Sequence, residues 1–284
     1  MMNRRDLLQA GAATMFVVHP VLAAKDAVPQ FKIIDTNVNL FQWPFRRLPL
    51  DETGALVKKL RSLAITQGWA GSFEAILHRD IASVNHRLVA ACKNYPELIP
   101  IGSVNLQLPD WQADLHRCAD VHKMSGIRLF PSYHEYTLAD PRFEKLLKQA
   151  AKAGLFVQIA VTMEDPRTQH PRLRTPDVDL APLLGVMSGI RDARVQILNL
   201  RPRATDLQLV AKTPGLHLDT ARVEGTDGVP SLFKKTPAGR VLFGTHAPLL
   251  IPESALIRTH ESGQLDKKSL RTLFSENAGR LLDT

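Results

Sequence analysis

The chain has 284 residues, 44% of them hydrophobic and 23% charged, with a formal net charge of +8 and two cysteines. No apolar run of 18 residues follows the N-terminal region, which excludes a bilayer-spanning helix in the body of the chain. The positive charge is dispersed and accompanies no nucleic-acid motif, so it points to solubility and a preference for anionic small molecules as partners, not to nucleic acid.

The chain opens "MMNRRDLLQAGAATMFVVHPVLAAK". Arg4 and Arg5 precede a short apolar run that ends in Ala23 and Ala24, the layout of a cleaved export signal. With Asp6, Leu7 and Leu8 behind them, the arginines resemble the twin-arginine class, which exports folded proteins. An ordinary secretory signal or an uncleaved anchor is the alternative, although Gly11 and Pro20 break the run and leave it too weak to span a bilayer. The expectation is a signal over residues 1–24 and one domain over residues 25–284. That domain would be periplasmic or secreted, with no stable membrane anchoring after cleavage. Homo-oligomerisation is left open.

Short apolar runs then alternate with helical periodicity. Strands are predicted at Lys32–Thr36, Trp69–Phe73, Ile99–Asn105, Gly126–Phe130, Phe156–Val161, Arg194–Leu198, Leu216–Thr220 and Arg240–Gly244. In "DIASVNHRLVAACKNYP", Ile81, Val84, Leu88 and Ala91 recur at helical spacing and Pro96 stops the run. "DPRFEKLLKQAAKAG" opens on an N-cap Asp140 and a first-turn Pro141 and ends at Gly154. Cys92 and Cys118 lie in helix-like apolar segments, which predicts buried free thiols. Spacing alone leaves a disulfide open, and neither has a Cys or His at metal-ligand spacing. Eight strands alternating with helices predict an α/β fold, a (β/α)8 TIM-like barrel with parallel strands. The runner-up, an open doubly wound sheet, usually carries a glycine-rich loop after its first strand, and "DTNVNLFQW" has none.

In such a barrel the chemistry sits at the C-terminal ends of the strands. Those ends carry Asp35, Asn37 and Asn39; Glu74, His78 and Arg79; Asn105; Arg128, Tyr133 and His134; Glu164, Asp165, Arg167, Gln169 and His170; Asn199 and Arg201; Asp219 and Arg222; and His246. So many histidines and arginines facing one mouth predict a small-molecule pocket.

On these residues the chain resembles the amidohydrolase superfamily, in its compact amidohydrolase 2 branch of decarboxylases and lactone hydrolases. "IIDTNVNL" matches the first-strand Asp-x-His-x-His frame. "SGIRLFP" and "AGLFVQIAV" are similar to the fourth and fifth strands, and "VQILNLRP" to the family's His-x-Gly strand. "RVLFGTHAPLLIPES" with "ENAGRLL" is similar to the final strand and terminal helix, the most specific pair. The resemblance implies a metal site, but the residues depart from it. Asn37 and Asn39 stand for the first-strand histidines, Ala160 and Asn199 for later histidines, and His246 for the catalytic aspartate. A neutral amide oxygen is a poor ligand for zinc. No metal and no cofactor are therefore expected. The alternative is a site rebuilt from Glu164, Asp165, His170 and His246.

Some members of this branch hydrolyse lactones without metal, and the expected chemistry follows that pattern. His246, with an ordinary pKa of about 6.5, is the candidate base. Asp35 is expected to orient its imidazole as in a triad. Glu164 is a further acid–base candidate, reaching in from the long loop "TMEDPRTQHPRLRTPDVDLAPLL", which reads as a lid. Arg128 and Arg201 would hold a carboxylate or oxyanion. Asn37, Asn39, Asn199, Tyr133 and His170 would contact substrate. The expected function is metal-independent hydrolysis of a small anionic or hydroxylated molecule. A barrel that binds without catalysing is the first alternative; a metal-dependent hydrolase or decarboxylase with relocated ligands is the second.

Overall fold

In the computed structural model, which describes residues 31–283, "IIDTNVNL" is a single strand, β1 (Ile33–Leu40), buried at every position. The proposed signal lies outside the described residues. The strands that follow are β2 (Ile65–Ser72), β3 (Leu98–Pro100), β4 (Gly102–Ser103), β5 (Gly126–Leu129), β6 (Phe156–Ala160), β7 (Val195–Leu198), β8 (Leu216–Asp219) and β9 (Val241–Leu242). Every paired neighbour is parallel. The predicted third strand is broken at Ile101 into β3 and β4, so eight predicted runs become nine strands.

The ladder divides into two sheets, β1-β2-β3 and β4 through β9 in sequence order. Backbone bonds cross both seams. Ile101 N–H donates to Ala70 O at 2.8 Å, Thr36 N–H to Phe243 O at 2.9 Å and Asn39 N–H to Ala247 O at 2.8 Å. First and last strands thus meet, as in a TIM-like α/β barrel rather than the open doubly wound sheet, although the ladder is interrupted at each seam.

The helices obey the local signals. Asp80 Oδ1 accepts from Ser83 N–H at 3.0 Å and starts the helix Ile81–Cys92. Asp140 Oδ1 accepts from Arg142 N–H at 2.8 Å and starts the helix Pro141–Lys152, which ends at Gly154 with φ +71°, a backbone shape that glycine adopts without cost. Cys92 and Cys118 are free and buried. Burial pushes both thiols up to about 12, so neither is a nucleophile near neutral pH.

The interior is layered. At the base, Trp69, Ile101, Phe156 and Leu242 pack against Ala278 and Leu281 of the terminal helix Asn277–Asp283. Asn277 Nδ2 fastens that helix to Val241 O at 2.7 Å. Above the base lies a polar layer around Arg128, which is 1% exposed. Its Nε donates to Gln158 Oε1 at 2.9 Å, Nη1 to Val38 O at 2.9 Å and Asn39 Oδ1 at 2.6 Å, and Nη2 to Trp69 O at 3.3 Å. Gln158 Nε2 continues to Thr36 O and Gln196 Oε1, both at 2.8 Å. Above that, Trp43, Phe73, Phe130, Ala160 and Met163 form an apolar cap.

Gly71 makes room for the guanidinium, because a Cβ there would lie 2.6 Å from Arg128 Nη1. Gly71→Ala is expected to destabilise the protein by about 1–3 kcal/mol through overpacking, read as a lower midpoint in chemical denaturation. An unchanged midpoint would show that the arginine is not held as described.

Candidate functional site

Three strand ends converge above the arginine layer. Asn37, in β1, spends both amide hydrogens inside the barrel: Nδ2 donates to Asn199 Oδ1 at 2.7 Å and to Asp219 Oδ2 at 2.6 Å. Both partners are acceptors, so the NH2 must face them and Asn37 Oδ1 must point away. Asn199, one residue beyond β7, sits at φ +62°. Its backbone N–H donates to Asp219 Oδ1 at 3.1 Å and its amide to Thr162 O at 2.8 Å. Asp219 ends β8 and is 2% exposed. Burial pushes its carboxyl up to about 7 against the pull of the Asn37 amide and the Asn199 and Ala221 N–H groups, and the charge of Asp35 adds to the rise.

The expected pairing of Asp35 with His246 is not formed. Asp35 Oδ1 accepts from the backbone N–H groups of Asn37 at 3.0 Å and Thr245 at 2.9 Å, and its Oδ2 accepts from Thr245 Oγ1 at 2.5 Å. Its acceptors serve the backbone at the seam between first and last strands. His246 instead turns Nε2 to Met163 O at 2.8 Å. A carbonyl only accepts, so Nε2 carries the proton and Nδ1 is a bare lone pair. Burial pushes the imidazole down to about 3, and the charges of Arg222 and Arg128 push the same way. His246 is therefore neutral near pH 7, without the Asp35 partner expected to orient it.

The other predicted residues divide between centre and rim. Asn39 is fully buried beside Arg128, which is bound to backbone and amide acceptors rather than offered to a ligand. Glu164 is buried but paired with Arg46. Tyr133 packs edge-on against Trp43 at 6.1 Å and bonds Thr175 of the long loop. His170 is exposed beside Phe45 at 6.3 Å. Arg201 is half exposed, 3.4 Å from Asp165 and 3.5 Å from Glu224. Asp165 also binds Arg167 at 2.9 Å. With Glu164, Asp165, His170 and His246 each engaged elsewhere, the alternative rebuilt metal site does not assemble. Among the described residues no group of three or more His, Cys, Asp or Glu side chains could hold a metal ion. Of the amides at the family's ligand positions, Asn37 is turned to Asn199 and Asp219 and Asn39 gives its oxygen to Arg128, so the residues do not fit the implied metal.

Among the described residues, three buried polar atoms at this centre have no hydrogen-bond partner: Asn37 Oδ1, Asn39 Nδ2 and His246 Nδ1. Buried polar atoms are nearly always paired, and orphans mark a place where something polar belongs. The residue that sequence reasoning underweighted is Asp219. It stood among the polar strand ends, but nothing in its local context distinguished it from Asp165 or Asp35; only the meeting of β1, β7 and β8 does.

Comparison with known proteins follows the fold. The amidohydrolase family profile matches residues 34–284. A 2,6-dihydroxybenzoate decarboxylase complexed with 2,6-dihydroxybenzoate superposes with a TM-score of 0.70 at 14% identity, covering 89% of this chain and 100% of that one. The 5-carboxyvanillate decarboxylase of Novosphingobium aromaticivorans, with bound manganese, gives 0.70 at 13% identity over 90% and 98%. An amidohydrolase 2 from Bifidobacterium longum subsp. infantis gives 0.61 at 14% identity over 89% and 99%. At such identities the likeness is one of fold alone. No curated protein sequence matches.

The raised Asp219 pKa sets a stability expectation. Above the ordinary carboxylate range and below about 7, the folded protein keeps a proton on Asp219 that the unfolded chain has released. That stabilisation is complete below the ordinary range and is lost as pH rises through about 7. Thermal melts across this window are expected to fall more steeply with pH for the wild type than for Asp219→Asn. Parallel curves would show that Asp219 is already ionised.

Proposed function

Because the chain belongs to the amidohydrolase family, we propose that it is a hydrolase of the amidohydrolase 2 type. Its substrate is a small anionic or hydroxylated molecule with a lactone or similar C–O or C–N bond, and it works without the family's usual metal. Asp219 carries the proposal: a carboxyl held near neutrality at the meeting point of three strand ends suits a general acid–base. Its carboxylate would take a proton from water as the water oxygen attacks the carbonyl carbon. The protonated acid would return that proton to the leaving oxygen or nitrogen as its bond breaks. Asn39 Nδ2, the unpartnered donor, would face the developing oxyanion. Its orientation is fixed because Arg128 takes the amide oxygen. Asn37 Oδ1 and His246 Nδ1, the unpartnered acceptors, would receive substrate hydroxyls or the attacking water.

Access requires the long loop to move. Met163 O holds His246, the Met163 side chain joins the apolar cap, and Glu164 pairs with Arg46, so this loop would latch over the centre and act as a lid. The chain is further proposed to be exported, with its signal ending near Ala24. Replacing Arg4 and Arg5 by lysine should then reduce export in cell fractionation, whereas undiminished export would point to the ordinary secretory route. The second reading, a barrel that binds without turnover, is favoured by the absence of the Asp35–His246 pair.

Elemental mass spectrometry of protein purified without chelator is expected to find no stoichiometric metal. A panel of lactones, esters and hydroxylated aromatic acids, assayed with and without added zinc, is expected to show metal-independent turnover. Asp219→Asn should lower kcat at least about 100-fold, the lower end of general acid–base contributions. Activity only with metal would overturn the proposal, and ligand-induced stabilisation without turnover would replace it with the second reading.

A further inference from the structure

One buried cation lies outside the centre just described. Arg222 follows β8 and is 3% exposed. Among the described residues it makes no hydrogen bond or ion pair, and its buried Nε has no partner. A guanidinium taken out of water without a bonded partner is costly. Here the cost is aggravated by Arg201, which lies close enough for its charge to act against that of Arg222.

Arg222 lines a cavity of about 350 Å³ between the loops after β7 and β8, together with Arg201, Lys235, Thr226, Gly228, Ser231 and one carboxylate, Glu224. Thr226 precedes the helix Gly228–Lys235, and Gly228 and Ser231 lie in its first turn; its N-terminus has no side-chain cap, but Gly228 N–H donates to Gly225 O at 3.1 Å and Pro230 has no N–H, which leaves that of Val229. The amino end of a helix is electropositive and its first N–H groups lack intrahelical acceptors. Glu224, Asp165 and Asp177 offset part of the charge; Glu224 and Asp165 meet Arg201 only at 3.5 Å and 3.4 Å, and none of the three bonds Arg222. The cavity thus joins an unpaired buried guanidinium, two rim cations, two hydroxyls and a helix start.

We propose that this cavity is an oxyanion-binding site that takes the carboxylate or phosphate group of a small ligand on Arg222, with Arg201 and Lys235 at its rim. Planar guanidinium donors match such oxygens in pairs, which a halide or a neutral ligand does not. The proposal rests on the hydrolase reading only in so far as the anion would belong to the substrate. Its test reads binding and not turnover, so each can fail alone.

The probes are inorganic phosphate and benzoate, titrated separately at low ionic strength by calorimetry and thermal melting, with chloride at matched ionic strength as control. At least one probe is expected to bind saturably and raise Tm; phosphate alone assigns a phosphoryl group, benzoate alone a carboxylate. Arg222→Met is expected to raise Tm without any anion, because it removes an unpaired buried charge, and to abolish the anion response. Lys235→Glu, an exposed substitution that spares the core, should weaken the response several-fold. No response beyond chloride in the wild type, or a wild-type response in either variant, would overturn the proposal.

Discussion

The barrel is organised around a guanidinium that does not reach water. Arg128 takes acceptors from β1, β2 and β6 while itself belonging to β5, so one side chain ties together four strands of both sheets. Burial pushes its pKa down to about 9, with Asp219 and Asp35 pulling the other way, so it remains a cation at neutral pH. That charge pulls against the rise of Asp35, whose carboxyl burial lifts. Asp219 is buried as well, and His246 is neutral. Burial, with the charge of Asp35 added to it, is the physical reason the Asp219 carboxyl titrates near 7.

The same economy of charge explains why amides crowd the centre. An asparagine presents a donor and an acceptor without a net charge, so Asn37, Asn39, Asn199, Gln158 and Gln196 can pass hydrogen bonds across the barrel without desolvating further ions. The chain still accepts backbone strain to place some of them. Asn199 and His246 both occupy the left-handed region, at φ +62° and +60°. Asparagine tolerates that region and histidine less so. Strain of this kind persists only where surroundings impose it, and it gathers at functional positions.

The fold was legible because barrel strands and outer helices write themselves as short apolar runs and amphipathic repeats, and the Asp80 and Asp140 caps stand where the sequence places them. Less could be read of the strand ends. β1 runs on to Leu40, so the two asparagines lie within it, not beyond it. The break at Ile101 depends on a register that no local signal encodes. Of the site, the meeting of Asn37 with Asn199 was legible in the strand order, which sets β1 and β7 across the barrel from one another. The pairings did not follow. Asp35 and His246 lie on neighbouring strands, yet the aspartate serves Thr245 and the imidazole serves a loop carbonyl. Which neighbour wins is decided by burial and side-chain rotation, quantities absent from spacing.

The geometry of Asn37 bears on whether the residues at the family's ligand positions form a metal site in another guise. A metal centre needs lone pairs directed at one point. Here the first-strand amide directs hydrogens there instead, one to Asn199 Oδ1 and one to Asp219 Oδ2. Asn39 gives its oxygen to Arg128. To bind a cation, Asn37 would have to rotate and set its oxygen beside the oxygens it now satisfies, and Asn39 would have to abandon a buried guanidinium. Each step leaves a buried polar group unpaired, at about 1–3 kcal/mol or more where charge is involved. At Asn37 the polarity is therefore reversed: a donor group stands where a metal would require an acceptor. The atoms left over, two acceptors and one donor, are suited to a hydroxylated or carbonyl-bearing molecule instead.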